Sequence, residues 1–291
     1  MKEFEFRTQV GVKYEGTNIS YNSRIMMLGS CFTTEIGGIM KDYRFDVMVN
    51  PFGTLYNPAS IHASVERIIS RRPFTEEEVI QTNPTDTSSE KKYASFSHHS
   101  AFARGSAGEF LINANLELQK SWEWLEGADT IIITLGTAWV FVNNETGKIV
   151  SNCHKRVAKE LTRKLLTVDE CTRLLTSIAN LLPDKKIIFT VSPIRHFKDG
   201  AHGNQISKST LLLAIENTIK ECGWCNYFPS YEIMLDELRD YRFYNEDMIH
   251  PSPLAIKYIF EKFKQSHISG DAFKQMDENL RLTKAENHIQ R

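Results

Sequence analysis

Arg24-Ile25-Met26-Met27-Leu28-Gly29-Ser30-Cys31-Phe32-Thr33-Thr34-Glu35-Ile36 joins two patterns with nothing between them but a glycine. Ile25 to Leu28 is an apolar run of the length of a buried strand. Beyond Gly29 the apolar residues Phe32, Ile36, Ile39 and Met40 recur with helical spacing, and Thr33 and Thr34 stand near the start of that helix. A strand therefore feeds a tight turn, and the turn delivers Ser30 and Cys31 to a helix N-terminus. Such a corner can present a nucleophile beside free backbone N–H groups and the positive end of a helix dipole. It also serves plain strand-to-helix packing, so a second piece of chemistry is needed elsewhere in the chain.

The rest of the chain repeats the strand-helix rhythm. Phe45 to Val49, Asp129 to Leu135, Lys186 to Val191 and Asn226 to Phe228 read as further strands, the second of them apolar and β-branched enough for burial on both faces. Helices are expected from Asn57 to about Arg71, Asn115 to Leu125, Thr167 to Leu182, Ser207 to Cys222 and Pro253 to Gln265. Val140 to Val142 and Ile149-Val150 flank a turn-rich segment and predict a hairpin. The alternation implies a three-layer α/β/α sandwich around a parallel sheet of about five strands, flavodoxin-like in outline. We expect one domain over residues 1–265, interrupted by an insertion near 73–115 over the strand ends, with 266–291 as a peripheral helix or tail. Sheets of this kind bind ligands at the carboxyl ends of their strands, and the polar clusters of this chain all follow a strand.

The bulk properties narrow the classes. With 35 basic and 36 acidic residues the net charge is -1, which excludes a global field for nucleic acid or a membrane surface. The five cysteines are an odd number in a chain of 291 residues, so they read as free thiols in a reducing compartment rather than a disulfide framework. The first residues, Met1 to Arg7, contain no apolar signal core, and no run is long enough to span a membrane. A cytoplasmic location is the expectation.

Asp247-Met248-Ile249-His250 supplies the second piece of chemistry. An Asp three residues before a His can set the imidazole's tautomer and orientation, leaving its other nitrogen to act as general base. Together with Ser30 and Cys31 this makes a nucleophile–His–Asp constellation. At this point the chain resembles the GSCFA domain family, a branch of the SGNH (GDSL-type) hydrolase clan. The resemblance covers roughly residues 20–265 and rests on Gly29-Ser30-Cys31-Phe32, Asn50-Pro51-Phe52-Gly53-Thr54, Thr134-Leu135-Gly136-Thr137-Ala138-Trp139, Asn152-Cys153-His154-Lys155, Ser192-Pro193-Ile194-Arg195-His196 and Asp247 to Ser252.

The resemblance implies a register. Cys31 falls on the clan's nucleophilic Ser and Ser30 on the motif's Asp; Asp247 and His250 match the C-terminal pair. Cys31 is the favoured nucleophile, and Ser30 takes the role if the turn is shifted by one residue. Gly53 corresponds to the clan's second-block oxyanion donor. The third block should read Gly-x-Asn-Asp; here it reads Gly136-Thr137-Ala138-Trp139, so Ala138 stands in place of the Asn, and Asn50 or His154 would have to replace the missing donor, with Gly136 and Thr137 beside them. The implied activity is that of an SGNH-like esterase or acyltransferase on a small-molecule or carbohydrate-linked ester. Catalysis needs no metal or organic cofactor, and no nucleic-acid or membrane partner is expected. The alternative is an SGNH fold impaired in catalysis that binds a glycan or acyl ligand.

Other groups make weaker claims. Arg195, His196, Lys198 and Lys208 form a basic cluster in sequence that could hold a substrate anion. His98 and His99 read as part of a solvated loop. Cys153-His154 lacks the second ligand pair of a zinc site. Cys222-Gly223-Trp224-Cys225 has redox spacing but lies between a helix end and a strand, the wrong place for thioredoxin-like chemistry.

Overall fold

A computed structural model describes residues 8–12, 18–82, 91–156 and 159–289. Strand β1 (Arg24–Gly29) leads into helix α1 (Cys31–Asp42), and β2 (Asp46–Val49) into α2 (Pro58–Ser70). Asn57 caps α2, its side chain accepting the Ser60 N–H at 2.8 Å, with Pro58 at the first helical position. A hairpin of β3 (Val79–Gln81) and β4 (Tyr93–Ser95) follows, then α3 (Ala107–Gly127) and β5 (Thr130–Leu135). Next come β6 (Trp139–Asn143), β7 (Ile149–Val150) and β8 (Leu161–Leu165), a separate antiparallel sheet in the order β7-β6-β8. Helix α4 (Val168–Leu181), β9 (Lys186–Val191), α5 (Gly200–Glu221) and β10 (Cys225–Phe228) complete the central layer. A short irregular helix, α6 (Ser230–Glu232), continues as a π-turn over Ile233–Glu237. Helices α7 (Pro253–His267) and α8 (Phe273–Ile289) close the chain.

The five central strands are all parallel, in the order β10-β9-β5-β1-β2. Alternation along each strand feeds two cores. Met26, Leu28, Ile131, Ile133 and Leu135 face the layer of α2 to α5, where they meet Val65, Phe110, Leu175 and Leu211. Ile25, Met27 and Ile132 face the other layer, against Ile36 and Met40 of α1, Ile259 and Phe263 of α7 and Met276 of α8. The chain leaves β1 for β2 on one side and returns to β5 on the other. The gap between the ends of β1 and β5 is therefore the sheet's switch point, where side connections diverge and leave a crevice.

Four segments differ from the sequence reading. Helix α5 starts at Gly200 rather than Ser207, so part of the polar stretch read as a loop is helical. Helix α3 starts at Ala107 rather than Asn115, because Ser106 caps it by accepting the Glu109 N–H at 3.2 Å; the Gly-Ser-Ala-Gly run reads as a loop only until that cap is seen. Strand β8 was not expected. Its short alternation, Leu161-Thr162-Arg163-Lys164-Leu165, gains strand character by pairing with β6. His98 is not in a solvated loop: it is fully buried among the rings of Phe52, Phe74, Phe102 and Phe110, with Nδ1 2.8 Å from Ser95 Oγ. Burial pushes its pKa down to about 3. His98 thus pins the insertion to the core.

Candidate active site

The turn after β1 is shaped by Gly29, whose φ is +145°, open only to glycine. A Cβ there would lie 2.2 Å from the Thr134 carbonyl oxygen of β5. The close approach lets the Ser30 N–H reach Thr134 O at 3.2 Å, so the end of β1 is locked to the end of β5. Asn50, in left-handed conformation just beyond β2, braces the turn from the other side. Its Oδ1 accepts the Gly29 N–H at 2.8 Å, and its Nδ2 donates to Thr34 Oγ1 at 3.1 Å. Both ends of the Asn50 amide are engaged in holding the turn.

The two nucleophile candidates part company here. Ser30 is 1% exposed, and its Oγ has no hydrogen-bond partner among the described residues. Cys31 is half-buried, with Sγ 3.7 Å from His250 Nε2. His250 Nδ1 lies 2.6 Å from Asp247 Oδ2. A carboxylate only accepts, so Nδ1 carries a proton, and in the neutral ring Nε2 is the lone pair that faces the thiol. The other oxygen, Asp247 Oδ1, accepts the N–H of Ile249 at 2.8 Å and of His250 at 2.9 Å. Met248 at φ +56° lets the loop curl around the carboxylate. The His250 N–H, followed by that of Ile249 and the His250 ring, holds Asp247 down to about 2 although its side chain is exposed.

Charge at Cys31 is contested. Burial raises its pKa most; the N–H groups of Cys31 and Phe32 lower it, Glu35 raises it and Lys208 lowers it. Ser30 makes no side-chain cap on α1; the backbone N–H groups of Cys31 and Phe32 act on the sulfur, while that of Thr33 donates to Ser30 O at 2.9 Å. Cys31, Glu35, Ile194, Asn245, His250 and Pro251 line a cavity of about 190 Å³.

The remaining predicted residues divide. The Gly53 N–H donates to Asn50 O at 2.8 Å, and Gly53 has φ +82° with His99 Cβ packed where a side chain would be. The N–H groups of Gly136 and Thr137 both donate to Tyr56 O, at 2.7 and 2.9 Å, and that of Ala138 to Ser207 Oγ at 2.8 Å. None of these four N–H groups faces a ligand in this arrangement. His154 is buried, its Nε2 2.8 Å from Ser95 O, and its pKa is lowered by burial. Arg195 donates its backbone N–H to Ile249 O at 3.1 Å and packs its guanidinium over Phe197 and Tyr244, so it supports the Asp247–His250 loop. It also lines a larger groove of about 480 Å³ with Tyr241 and Tyr244. His196 is turned inward beside Tyr56, its Nε2 without a partner among the described residues, and burial pushes it down to about 4.

The basic residues expected to cluster are held by separate partners, although Lys208 still acts on His196. Lys198 sits over Phe141, while Lys208 is fully buried and donates to Gly136 O and Ser192 O at 2.7 Å each. Lys208 and Tyr56 are site neighbours that the linear sequence did not single out for this role. The one available signal for Lys208 was its place on the inward face of α5, with Ser207 and Leu211. Cys222 and Cys225 are both buried and not joined in a disulfide, and burial pushes Cys225 up to about 12, so they are packing residues.

The parallel α/β sandwich carries its candidate nucleophile after the first strand and an Asp-x-x-His loop before helix α7. The chain belongs to the GSCFA family, whose model matches residues 24–263. Among curated proteins no sequence matches it. Two solved structures are similar to it. One is the acetyl xylan esterase Est2A from the rumen bacterium Butyrivibrio proteoclasticus, at TM-score 0.42 and 12% identity over 89% of this chain and 66% of that one. The other is a carbohydrate esterase family 2 enzyme with a carbohydrate-binding domain from Corynascus thermopiles (Myceliophthora fergusii), at TM-score 0.41 and 13% identity over 89% and 68%. The chain spans about two thirds of the length of either protein.

Proposed function

We propose that the chain is a thiol-dependent esterase or acyltransferase in which Cys31 is the nucleophile, His250 the general base and Asp247 its orienting partner. The observation that carries this reading is the linear relay from Cys31 Sγ through His250 to Asp247 at the switch point of the sheet. Cys31 gives its proton to His250 Nε2 as sulfur attacks the ester carbonyl carbon. The tetrahedral oxyanion collapses, the C–O bond breaks, and His250 returns the proton to the leaving alcohol. Water or an acceptor alcohol then attacks the thioester, His250 takes its proton, and the thiol re-forms. Because burial raises the thiol pKa, His250 works as a base during attack rather than as half of a resting ion pair. The N–H groups of Cys31 and Phe32 at the α1 N-terminus are the donors nearest the developing charge.

A second reading is favoured by one observation: the N–H groups of Gly53, Gly136, Thr137 and Ala138 are all bonded internally, and Ala138 has no side-chain donor. On this reading the cleft holds an acyl or glycan ligand without turning it over. Loss of an oxyanion donor typically costs about 10²–10³ in turnover. Hydrolysis of p-nitrophenyl acetate separates the two. The enzyme reading expects a burst that iodoacetamide and His250→Ala both remove and Ser30→Ala spares. No burst, with iodoacetamide labelling indifferent to His250→Ala, sinks it.

A further inference from the structure

Two spaces share a wall beside His250. The smaller, of about 190 Å³, has Cys31, Ile194, Asn245 and His250 in its lining. The larger, of about 480 Å³, has Arg195 and Tyr244 in its lining, the chain neighbours of Ile194 and Asn245. Consecutive Cα atoms are about 3.8 Å apart, so the two pairs Ile194-Arg195 and Tyr244-Asn245 turn one residue to the nucleophile and the next to the groove. The same wall is tied to the loop that carries His250. The Arg195 N–H donates to Ile249 O at 3.1 Å, the Asn245 N–H to His250 O at 2.8 Å and the Ser252 N–H to Phe243 O at 2.7 Å. A groove fixed by the hydrogen bonds that fix His250 is placed to hold the part of an ester lying beyond the scissile bond.

Arg195 gives that groove its chemistry. Its guanidinium packs over two rings, 4.3 Å from the centroid of Phe197 and 5.4 Å from that of Tyr244. Stacking uses the faces of a guanidinium and leaves its N–H edge in the plane. That edge makes one contact with the described residues, to Met248 O at 3.5 Å, the outer limit of a hydrogen bond. No carboxylate pairs with Arg195 among the described residues, and the nearby acids are engaged elsewhere. Asp236 faces Arg239 at 4.0 Å, Asp240 faces Arg242 at 3.8 Å, and both oxygens of Asp199 are taken by Arg163. A guanidinium pinned by stacking, with its fork open, is pre-organised for a carboxylate or phosphate. The rest of the groove suits an organic body attached to that anion: Tyr241 is 65% exposed and Phe197 37%, open ring surface that a ligand can cover.

We infer that the groove is the subsite for the alcohol part of the ester, and that this part carries an anionic group, a carboxylate or phosphate, bound by Arg195. Size sets the assignment: the cavity at Cys31 has room for a short acyl group and the groove for the larger remainder. Arg195 is on this account a specificity-determining residue that touches none of the reacting atoms. The assignment to the alcohol rests on the esterase or acyltransferase reading; the anion site itself does not. A guanidinium that only props Tyr244 and the His250 loop would affect every ester alike.

The test compares 3-carboxyphenyl acetate with phenyl acetate, esters of phenols of similar acidity, in wild type and Arg195→Met. The carboxylate ester is expected to have the higher kcat/KM by about tenfold, the low end for a hydrogen bond to a charged group, with the difference in KM. The ratio is expected to fall to about one in Arg195→Met, whatever happens to phenyl acetate itself. In wild type, about 1 M NaCl should narrow the ratio in the same direction, a measurement that does not depend on the variant folding. A wild-type ratio near one, or a ratio that Arg195→Met or salt leaves intact, overturns the inference. If neither ester is turned over, the esterase reading falls instead, and titration with phenyl phosphate, followed at the Arg195 Nε–H by NMR, decides the anion site. A shift that benzyl alcohol does not produce and salt removes upholds it; no shift overturns it.

Discussion

Replacing Gly29 with alanine puts a methyl group 2.2 Å from Thr134 O and 2.8 Å from Thr33 Oγ1. Neither contact can persist, since Cβ atoms do not approach heavy atoms within 3.0 Å. The β1 and β5 ends must separate by roughly 1 Å, in an interior too closely packed to absorb it. The Ser30 N–H to Thr134 O bond, already 3.2 Å, then breaks. Alanine at φ +145° adds backbone strain of about 1–3 kcal/mol, and overpacking adds about 1–3 kcal/mol. The expected loss is about 4 kcal/mol, a fall in Tm on the order of 10 °C for a chain of this size. Thermal denaturation followed by circular dichroism measures it. Gly38→Ala on the exposed face of α1, where a methyl meets nothing within 4 Å, is the control. It should stabilise by about 0.5–1 kcal/mol through helix propensity. A Gly29→Ala protein melting within about 2 °C of wild type would refute the claim that this turn is held together by the approach of Thr134.

Three further outcomes follow from the same geometry. Ser30→Ala removes a buried hydroxyl that has no partner among the described residues, so it should leave stability unchanged or raise it by up to about 1 kcal/mol, read from urea midpoints. Asp247→Asn replaces the acceptor of His250 Nδ1–H with an amide, and kcat/KM for an ester should fall by about 10²–10⁴. Asp247 is held down to about 2, so its stabilising effect is complete above pH 4 and lost as pH falls through 2. The stability gap between wild type and Asp247→Asn should close over that window. His98, buried with its pKa down at about 3, forces the unfolded chain to take up a proton that the folded chain refuses. Stability should therefore fall as pH drops from 6.5 toward 3, and His98→Phe should flatten the slope by about 1.4 kcal/mol per pH unit below 6. Equal slopes would contradict it.

The legible parts of the molecule were those written in local patterns. The Ile25–Leu28 run, the glycine after it and the helical spacing of Phe32, Ile36 and Met40 are contiguous, and β1 and α1 follow them closely. Thr167 and Glu170 make their capping box three residues apart. Asp247 and His250 bond across one turn of loop. What sequence order could not give are contacts made across the sheet. Ser30 and Cys31 are neighbours in the chain, yet one side chain is sealed and the other faces His250, because Thr134 O fixes the Ser30 backbone. The Asn50 amide is turned back onto Gly29, and His154 is drawn to Ser95. Lys208 reads as one of four basic residues after β9, but α5 carries it beneath Gly136 and Ser192. In each case a long-range backbone partner decides the outcome.

In the proposed reaction Cys31 forms a covalent bond to the acyl group while His250 manages the proton. Brief incubation with p-nitrophenyl acetate, acid quench and peptide mass spectrometry tests it. An acetyl thioester on Cys31, cleaved by hydroxylamine and much reduced in His250→Ala, is the predicted result. An acetyl ester on Ser30, or an unmodified Cys31 under conditions where p-nitrophenol is released, would contradict it.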